Sequence, residues 1–434
     1  MNKVSIMSSH LNRRTFIKRA SAGAVTAWLG AHTGFSSSPN EKLNIGIIGT
    51  ANRASANISG VKSENIVALC DIDETFLVRA SVRQPQARTY SDFRKLLEQP
   101  GLDAVVISTP DHTHAVATMM ALKNGLHVYC EKPLTHSVYE ARLVASTAAK
   151  QKRITQMGTQ IHASSNYRRV VEIIQSGALG PVHECHVFCE KSWSGGERPK
   201  ETPNVPRDLK YDLWLGPAPQ RPYHPAYLPV NWRRWWDFGG GTLGDMGCHY
   251  MDLAHWALQL RHPTTIESHG PPLHPETTPA WMIAHYNFPA RAEMPAVTVT
   301  WYDGGKRPSL ISDGTVPLDW KNGVLFVGSK GMLLADYNHY RLLPEKEFAD
   351  FKCPPRSIPE SVGHYEEWIR ACKTGGRTTC NFDYAGALTE TILLGNVAYR
   401  AGKKIEWDAE NLKATNCPEA AHYMQREYRK GWSV

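Results

Sequence analysis

Apolar positions along the chain fall into two textures. Residues 43–48 form a short apolar run of strand length, followed by Gly49-Thr50-Ala51-Asn52-Arg53-Ala54 and a helical pattern to about Val61. A second apolar run, 66–70, ends in Asp71. The same alternation continues with a strand at 103–108, a helix at 111–124 closed by Gly125, a strand at 126–129, a helix at 136–150 and a strand at 154–157. Strands alternating with helices at this spacing predict an α/β domain over residues 41–160, built as a doubly wound parallel sheet. Beyond it the pattern predicts a helix at 166–176, a strand at 182–190, a long aromatic stretch, and strands at 264–269, 281–287, 296–302, 323–327 and 332–336. Residues 161–434 therefore read as an α+β domain with an open, mostly antiparallel sheet. No internal repeat or low-complexity tract is present.

Composition fits this picture. With 434 residues and 42% hydrophobic content, the chain can bury the cores of two or three domains. The net charge of +8 falls to +3 once the five cations of residues 1–40 (Lys3, Arg13, Arg14, Lys18, Arg19) are set apart. So weak a field excludes a nucleic-acid footprint. Nine scattered cysteines without a C-x-x-C pair give neither a disulfide framework nor a zinc site, and Cys185 and Cys189 read as core-lining thiols of a strand.

Residues 1–38 read as an address. Asn12-Arg13-Arg14-Thr15-Phe16-Ile17-Lys18, an apolar stretch at 20–31 and Ser36-Ser37-Ser38-Pro39 resemble a twin-arginine export signal. The resemblance implies export machinery that engages Arg13 and Arg14, and a periplasmic or secreted protein exported already folded. The apolar stretch is too short to span a bilayer and no later run reaches 18 apolar residues, so no stable membrane anchor is expected.

Chemistry begins at the first turn. Asp71 stands 22 residues after Gly49, the interval at which a dinucleotide fingerprint places an acid on the ribose hydroxyls. Gly49, Thr50, Ala51, Asn52, Arg53 and Asp71 are thus candidate cofactor residues, although Ala51 and Ala54 stand where the fingerprint has its second and third glycines. An acid at 71 repels a 2′-phosphate and favours NAD; Arg53 argues the other way and leaves NADP open.

Those residues, with Ser108-Thr109-Pro110-Asp111-His112-Thr113-His114, Cys130-Glu131-Lys132-Pro133 and Gly244-Asp245-Met246-Gly247-Cys248-His249, resemble the Gfo/Idh/MocA oxidoreductase family. The resemblance implies an NAD-binding Rossmann domain, a second α/β domain whose sheet forms a homo-oligomer interface, and a catalytic trio of Lys132, Asp245 and His249. It also puts Thr109, Pro110, His114, Glu131 and Lys132 beside the cofactor. The family contains sugar and polyol dehydrogenases, two-sugar oxidoreductases and NAD-dependent glycosidases.

Oxidising a secondary alcohol needs a base for the hydroxyl proton, a donor for the developing alkoxide and a nicotinamide to take the hydride. Lys132 follows a parallel strand and so lies on the crevice side of the sheet. Asp245 and His249, four apart on a helix, share a face, and Asp245 is expected to orient His249 as the base. His112 and His114 have no third ligand in sight, so no metal is expected. Gly239-Gly240-Gly241 either lets backbone approach a ligand or is simply flexible.

Between 193 and 236 lie five of the 13 tryptophans, interleaved with Arg233 and Arg234. Such a surface suits a sugar, and it equally suits packing or a subunit contact. Gln160, His162, Tyr167, Trp232, Arg233, Trp235 and Trp236 are the candidate substrate residues. Export adds a constraint: without an external nucleotide pool, a tightly held cofactor must be reset on the enzyme. Transient C3 oxidation that cleaves a glycoside with no net redox change meets that constraint. The alternatives are a sugar or polyol dehydrogenase, a two-sugar oxidoreductase, or a non-catalytic sugar-binding relative that keeps NAD.

Overall fold

The computed structural model describes residues 42–317 and 320–434. Residues 1–38, with Arg13 and Arg14, lie outside the described residues. The first sheet comprises β1 (Asn44–Ile48), β2 (Asn65–Cys70), β3 (Arg88–Tyr90), β4 (Ala104–Ile107), β5 (His127–Cys130) and β6 (Thr155–Met157). All are parallel and ordered β3-β2-β1-β4-β5-β6. Helices α1 (Arg53–Gly60), α2 (Glu74–Arg83), α3 (Phe93–Leu97), α4 (Asp111–Lys123) and α5 (Val138–Gln151) cover the two faces. Burial on both faces explains why β1 and β4 are continuous apolar runs: Ile45, Ile47, Val105 and Ile107 are fully enclosed. At the start of α5 the Glu140 N–H donates to Ser137 Oγ while Glu140 Oε2 accepts from the Ser137 N–H, so two otherwise orphaned donors are satisfied. The winding direction reverses between β1 and β4, which opens a crevice at the carboxyl ends of the strands.

The rest comprises α6 (Ser165–Gln175), β7 (Val182–Cys189), α7 (Tyr211–Leu215), α8 (Gly241–Ala257), β8 (Thr265–His269), β9 (Ile283–Phe288), β10 (Val297–Tyr302), α9 (Ser309–Ser312), β11 (Asn322–Gly328), β12 (Gly331–Ala335), β13 (Tyr340–Leu343), α10 (His364–Thr374), α11 (Phe382–Ala401), β14 (Ile405–Asp408), β15 (Lys413–Ala414) and α12 (Ala421–Met424). Nine strands form an open sheet ordered β13-β12-β11-β7-β10-β9-β8-β14-β15, parallel only between β7 and β10. Cys185 and Cys189 are buried on β7, as expected of core thiols. α8 and α11 pack on the sheet, and α11 also packs against α5, where Arg142 forks onto the buried Glu390 at 2.8–3.0 Å. Residues 42–434 form one compact unit, so the two sheets share a continuous interior.

The final residues turn back onto the first sheet's layer. Arg426 Nε and Tyr428 Oη donate to Glu140 Oε1 at 2.9 and 2.7 Å. Trp432 packs its ring 5.8 Å from that of Phe93, with the Arg94 guanidinium 4.6 Å from the indole centre.

Candidate active site

A cleft of about 340 Å³ opens at the crevice, within the range small-molecule sites occupy. Its floor is the turn after β1. Gly49 has φ +85°, and a Cβ there would lie 2.8 Å from the Ser108 carbonyl oxygen, so the turn demands glycine. Ala54, in the position of the third fingerprint glycine, is fully buried between α1 and the sheet. Asp71 ends β2 with its carboxylate toward the cleft: Oδ2 accepts from the Thr50 N–H and hydroxyl at 2.8 Å each, and Oδ1 from the Asp73 N–H at 3.1 Å. Burial raises its pKa despite those bonds. Asp73 and Asp92 line the same end, so a 2′-phosphate would meet three acids there.

Arg53 is committed elsewhere. Its Nε donates to Glu131 Oε1 at 3.1 Å and its Nη2 to the Tyr365 hydroxyl at 3.1 Å. Glu131 Oε1 also accepts from Asn57 Nδ2 at 3.0 Å and Gln160 Nε2 at 2.9 Å. A Cβ on Gly158 would sit 2.6 Å from the Glu131 carboxyl carbon, so that glycine leaves room for the hub. The donor set fits NAD: a turn without side chain, the N-terminus of α1, and a ribose-facing acid whose surroundings exclude a further phosphate.

At the other end the Lys132 side chain reaches α8. Lys132 Nζ donates to the Asp245 backbone carbonyl and to Oδ1, both at 2.7 Å. Arg233 Nε reaches the same Oδ1 at 3.0 Å, while Lys191 Nζ and Trp193 Nε1 reach Oδ2 at 2.9 and 2.6 Å. Burial alone would raise the Asp245 pKa, but Lys132, Arg233 and Lys191 hold it well below 3.8.

This corrects one expectation. Asp245 and His249 share the helix face, yet Asp245 spends its oxygens on cations and makes no hydrogen bond to His249; it positions Lys132. The His249 ring lines the cleft with neither nitrogen hydrogen-bonded to a described residue. Desolvation, then the nearby Lys132, pushes its pKa down to about 3, so it is a neutral acceptor at physiological pH.

Other expected residues divide by position. Thr50, Ala51, Asn52, Thr109, Pro110, Gln160, Trp232 and Arg233 line the cleft beside the groups already described. Five do not. His114 is buried behind the loop, its Nδ1 2.7 Å from the Pro133 carbonyl and its Nε2 2.8 Å from that of Thr109. His162 stacks on Trp256 at 4.0 Å with Nδ1 3.0 Å from Asp252. Tyr167 is enclosed and donates to the His249 backbone carbonyl at 2.9 Å. Trp235 packs on Tyr227 within a buried aromatic cluster, and Trp236 donates to the His274 carbonyl beneath Arg400. Most of the aromatic stretch is thus core, with Trp214 and Trp232 at its wetted edge. Gly241 (φ +65°) lies against Thr278, so its lack of a side chain serves helix packing.

Comparison with known proteins gives the lineage. A model described as "Oxidoreductase family, NAD-binding Rossmann fold" matches residues 43–159, and one described as "Oxidoreductase family, C-terminal alpha/beta domain" matches 165–434. The chain belongs to the Gfo/Idh/MocA oxidoreductase family. Its first domain is an NAD-binding Rossmann domain. Curated relatives in this family include an inositol 2-dehydrogenase 4 from Saccharopolyspora erythraea, 32% identical over 32% of this chain and 43% of that protein. A levoglucosan dehydrogenase from Pseudarthrobacter phenanthrenivorans is 27% identical over 39% and 36%. A glycosyl hydrolase family 109 protein, also from S. erythraea, is 27% identical over 52% and 56%. The matches thus span roughly half or less of those relatives' lengths. A WlbA dehydrogenase from Bordetella pertussis, solved with NADH and UDP-GlcNAcA, superposes with a TM-score of 0.61 at 17% identity, over 85% of this chain and 99% of that one. That likeness is one of fold.

Within this Gfo/Idh/MocA site Lys191, Phe93 and Trp432 are not foreseen in the sequence, and Asp111, part of the loop motif, is given no role there. Asp111 opens α4 inside the cleft, and burial pushes its pKa up to about 8. A buried acid at a helix start was the one available signal. Lys191, Phe93 and Trp432 arrive through long-range packing that no local pattern encodes.

Proposed function

We propose that this protein is an NAD-dependent oxidoreductase acting on a secondary hydroxyl of a sugar or glycoside, with the cofactor held tightly enough to be reset in place. The observation that carries this reading is a clamped cation, Lys132, and an uncommitted neutral imidazole, His249, on one cleft with the nucleotide cradle. Bound NAD supplies a two-electron acceptor that takes a hydride and can return it. Gly49 and the α1 N-terminus would hold the pyrophosphate, and Asp71 would hold the ribose hydroxyls. Lys132 donates to the substrate oxygen as charge develops, and Asp245 fixes the Lys132 ammonium in place for it. His249 takes the hydroxyl proton. So weak a base accepts that proton as the carbon loses its hydride, when the hydroxyl becomes strongly acidic.

Where the sugar carries a leaving group at C1, the C3 ketone acidifies the C2 proton, the C1 group is eliminated, water adds, and the ketone is reduced again. Atoms and electrons then balance as hydrolysis. The glycosyl hydrolase family 109 name of one group of relatives supports this outcome, and the dehydrogenase names of others support simple oxidation. Export by the twin-arginine route, through Arg13 and Arg14, favours the redox-neutral outcome, because a compartment outside the cytoplasm supplies no nucleotide to exchange.

The test uses the purified protein without added nucleotide and a panel of chromogenic glycosides, with aglycone release and nicotinamide absorbance followed together. Release without net NADH supports cleavage. A rise limited to one equivalent, without release, supports a dehydrogenase awaiting a second substrate. Binding without either signal across the panel refutes catalysis and favours the sugar-binding alternative.

A further inference from the structure

The substrate end of the cleft carries more positive charge than its acids neutralise. Lys132, Lys191 and Arg233 converge on one carboxylate, Asp245, at 2.7, 2.9 and 3.0 Å. A fourth cation, Arg234, stands beside them: its guanidinium and that of Arg233 lie 5.6 Å from the Trp193 ring centre, and Lys191 Nζ lies 4.8 Å from it. Among the described residues no side chain pairs with Arg234, and its Nε is buried without a partner. The neighbouring acids are spent. Glu131 holds Arg53, Glu190 holds Lys321, and Asp237 and Glu276 hold Arg198 and Arg221. Asp111, inside the cleft, is driven by burial toward its neutral form.

Three cations therefore share one carboxylate and a fourth stands unpaired beside them in a partly buried site, an arrangement whose desolvation cost calls for another anion. A neutral sugar does not supply it. Arg233 lines the cleft with Nε on Asp245 and Nη1 on the Val230 carbonyl at 3.3 Å, which leaves Nη2 without a described partner. Trp232 lies under the same guanidinium, its ring centre 4.1 Å away, and holds it flat. A planar guanidinium held flat by an indole, with one N–H edge uncommitted, matches a ligand carboxylate.

Resting on the oxidoreductase reading, we infer that the sugar taken by this cleft carries a carboxylate: a hexuronate or its glycoside. Arg233 meets it within the cleft, Lys191 and Arg234 set the positive field around it, and the remaining Lys132 N–H is left for the hydroxyl being oxidised.

Calorimetric titration of the NAD-loaded protein with methyl glucuronide, methyl galacturonide, methyl glucoside and glucose 6-phosphate tests this. A charge-assisted contact predicts uronate binding about 10- to 100-fold tighter than glucoside binding. The preference should weaken with added salt, shrink in Arg234→Gln and return in Arg234→Lys. Equal or tighter binding of the glucoside, absence of saturable uronate binding, or an unchanged preference in a folded Arg234→Gln overturns the inference. Tighter binding of the hexose phosphate overturns the carboxylate in favour of a phosphoryl group. Nicotinamide absorbance separates the two readings. Hydride transfer from neutral sugars alone sinks the uronate and keeps the oxidoreductase; tight uronate binding with neither an absorbance change nor release of methanol under any ligand does the reverse.

Discussion

Replacing Asp245 by asparagine tests the cation clamp. In the wild type, Oδ1 accepts from Lys132 and Arg233 and Oδ2 from Lys191 and Trp193. An amide keeps one oxygen. With that oxygen toward Lys132, its NH2 faces the Lys191 ammonium and the Trp193 N–H, donor against donor. Lys191, with 43% of its side chain exposed, can turn to solvent, whereas the Lys132 side chain is only 11% exposed and stays buried beside an uncharged group. Breaking a buried ion pair from one side costs about 3–5 kcal/mol, and the escape of Lys191 puts Asp245→Asn at the lower end, about 3 kcal/mol. At about 2.1 cal/mol/K per residue this is a fall of roughly 4 °C in Tm. The pH dependence fixes the cause. The Asp245 pKa is depressed in the fold, so its stabilisation is fully present above the ordinary value of 3.8 and lost only as pH falls through the depressed one. Urea unfolding of both proteins should give the same penalty at pH 5 and pH 8, and a smaller one below pH 4. A penalty under 0.5 kcal/mol at neutral pH, about the scatter of ordinary surface substitutions, or one that grows toward acid, refutes the clamp.

His249→Ala should retain bound NAD, measured on the nucleotide released by denaturation, and lose about 10²- to 10⁴-fold in kcat; near-normal turnover would remove His249 from the chemistry. Asp111→Asn isolates an acid whose pKa is raised to about 8 in the fold. The wild type loses stability as pH rises from the unfolded value near 4 toward 8, and the variant does not, so the variant's advantage in denaturant titrations should grow across that window and level off above it. A pH-independent difference would refute the buried acid. Gly49→Ala forces a side chain onto a φ of +85°, at about 1–2 kcal/mol, and into the Ser108 carbonyl. Retained NAD should fall in a protein that still folds, and wild-type retention would deny the turn its role as the cofactor floor.

Legibility in the sequence followed the range of the interactions. The parallel sheet could be read because its strands are apolar runs bounded by turns, and Gly49 with Asp71 could be read because the fingerprint is local. Strand β3, three residues with exposed Arg88 and Thr89, carries no such signal. Helix α11 is buried along most of its length and therefore lacks the amphipathic stripe that betrays a surface helix. Lys132 and His249 came from motif resemblance and share the cleft. The choice made by Asp245 could not be read, because helical spacing says which residues share a face and not which distant cation arrives there. The aromatic stretch held both possibilities, and packing took Trp235 and Trp236 while leaving Trp232 at the cleft.

The return of the final residues to the nucleotide domain bears on how the protein comes to hold its cofactor. Trp432 beside Phe93, and Leu209, Trp214 and Val230 from the middle of the chain, are walls of the same cleft whose floor is Gly49. During synthesis the Rossmann residues leave the ribosome first, yet their cleft lacks those walls until the last residues have emerged and docked on Glu140. The enclosed form of the cleft is therefore a property of the chain through Trp432 and not of the Rossmann residues alone. A nascent chain or a fragment ending after β6 would hold NAD only in an open trough, exchanging it freely with its surroundings.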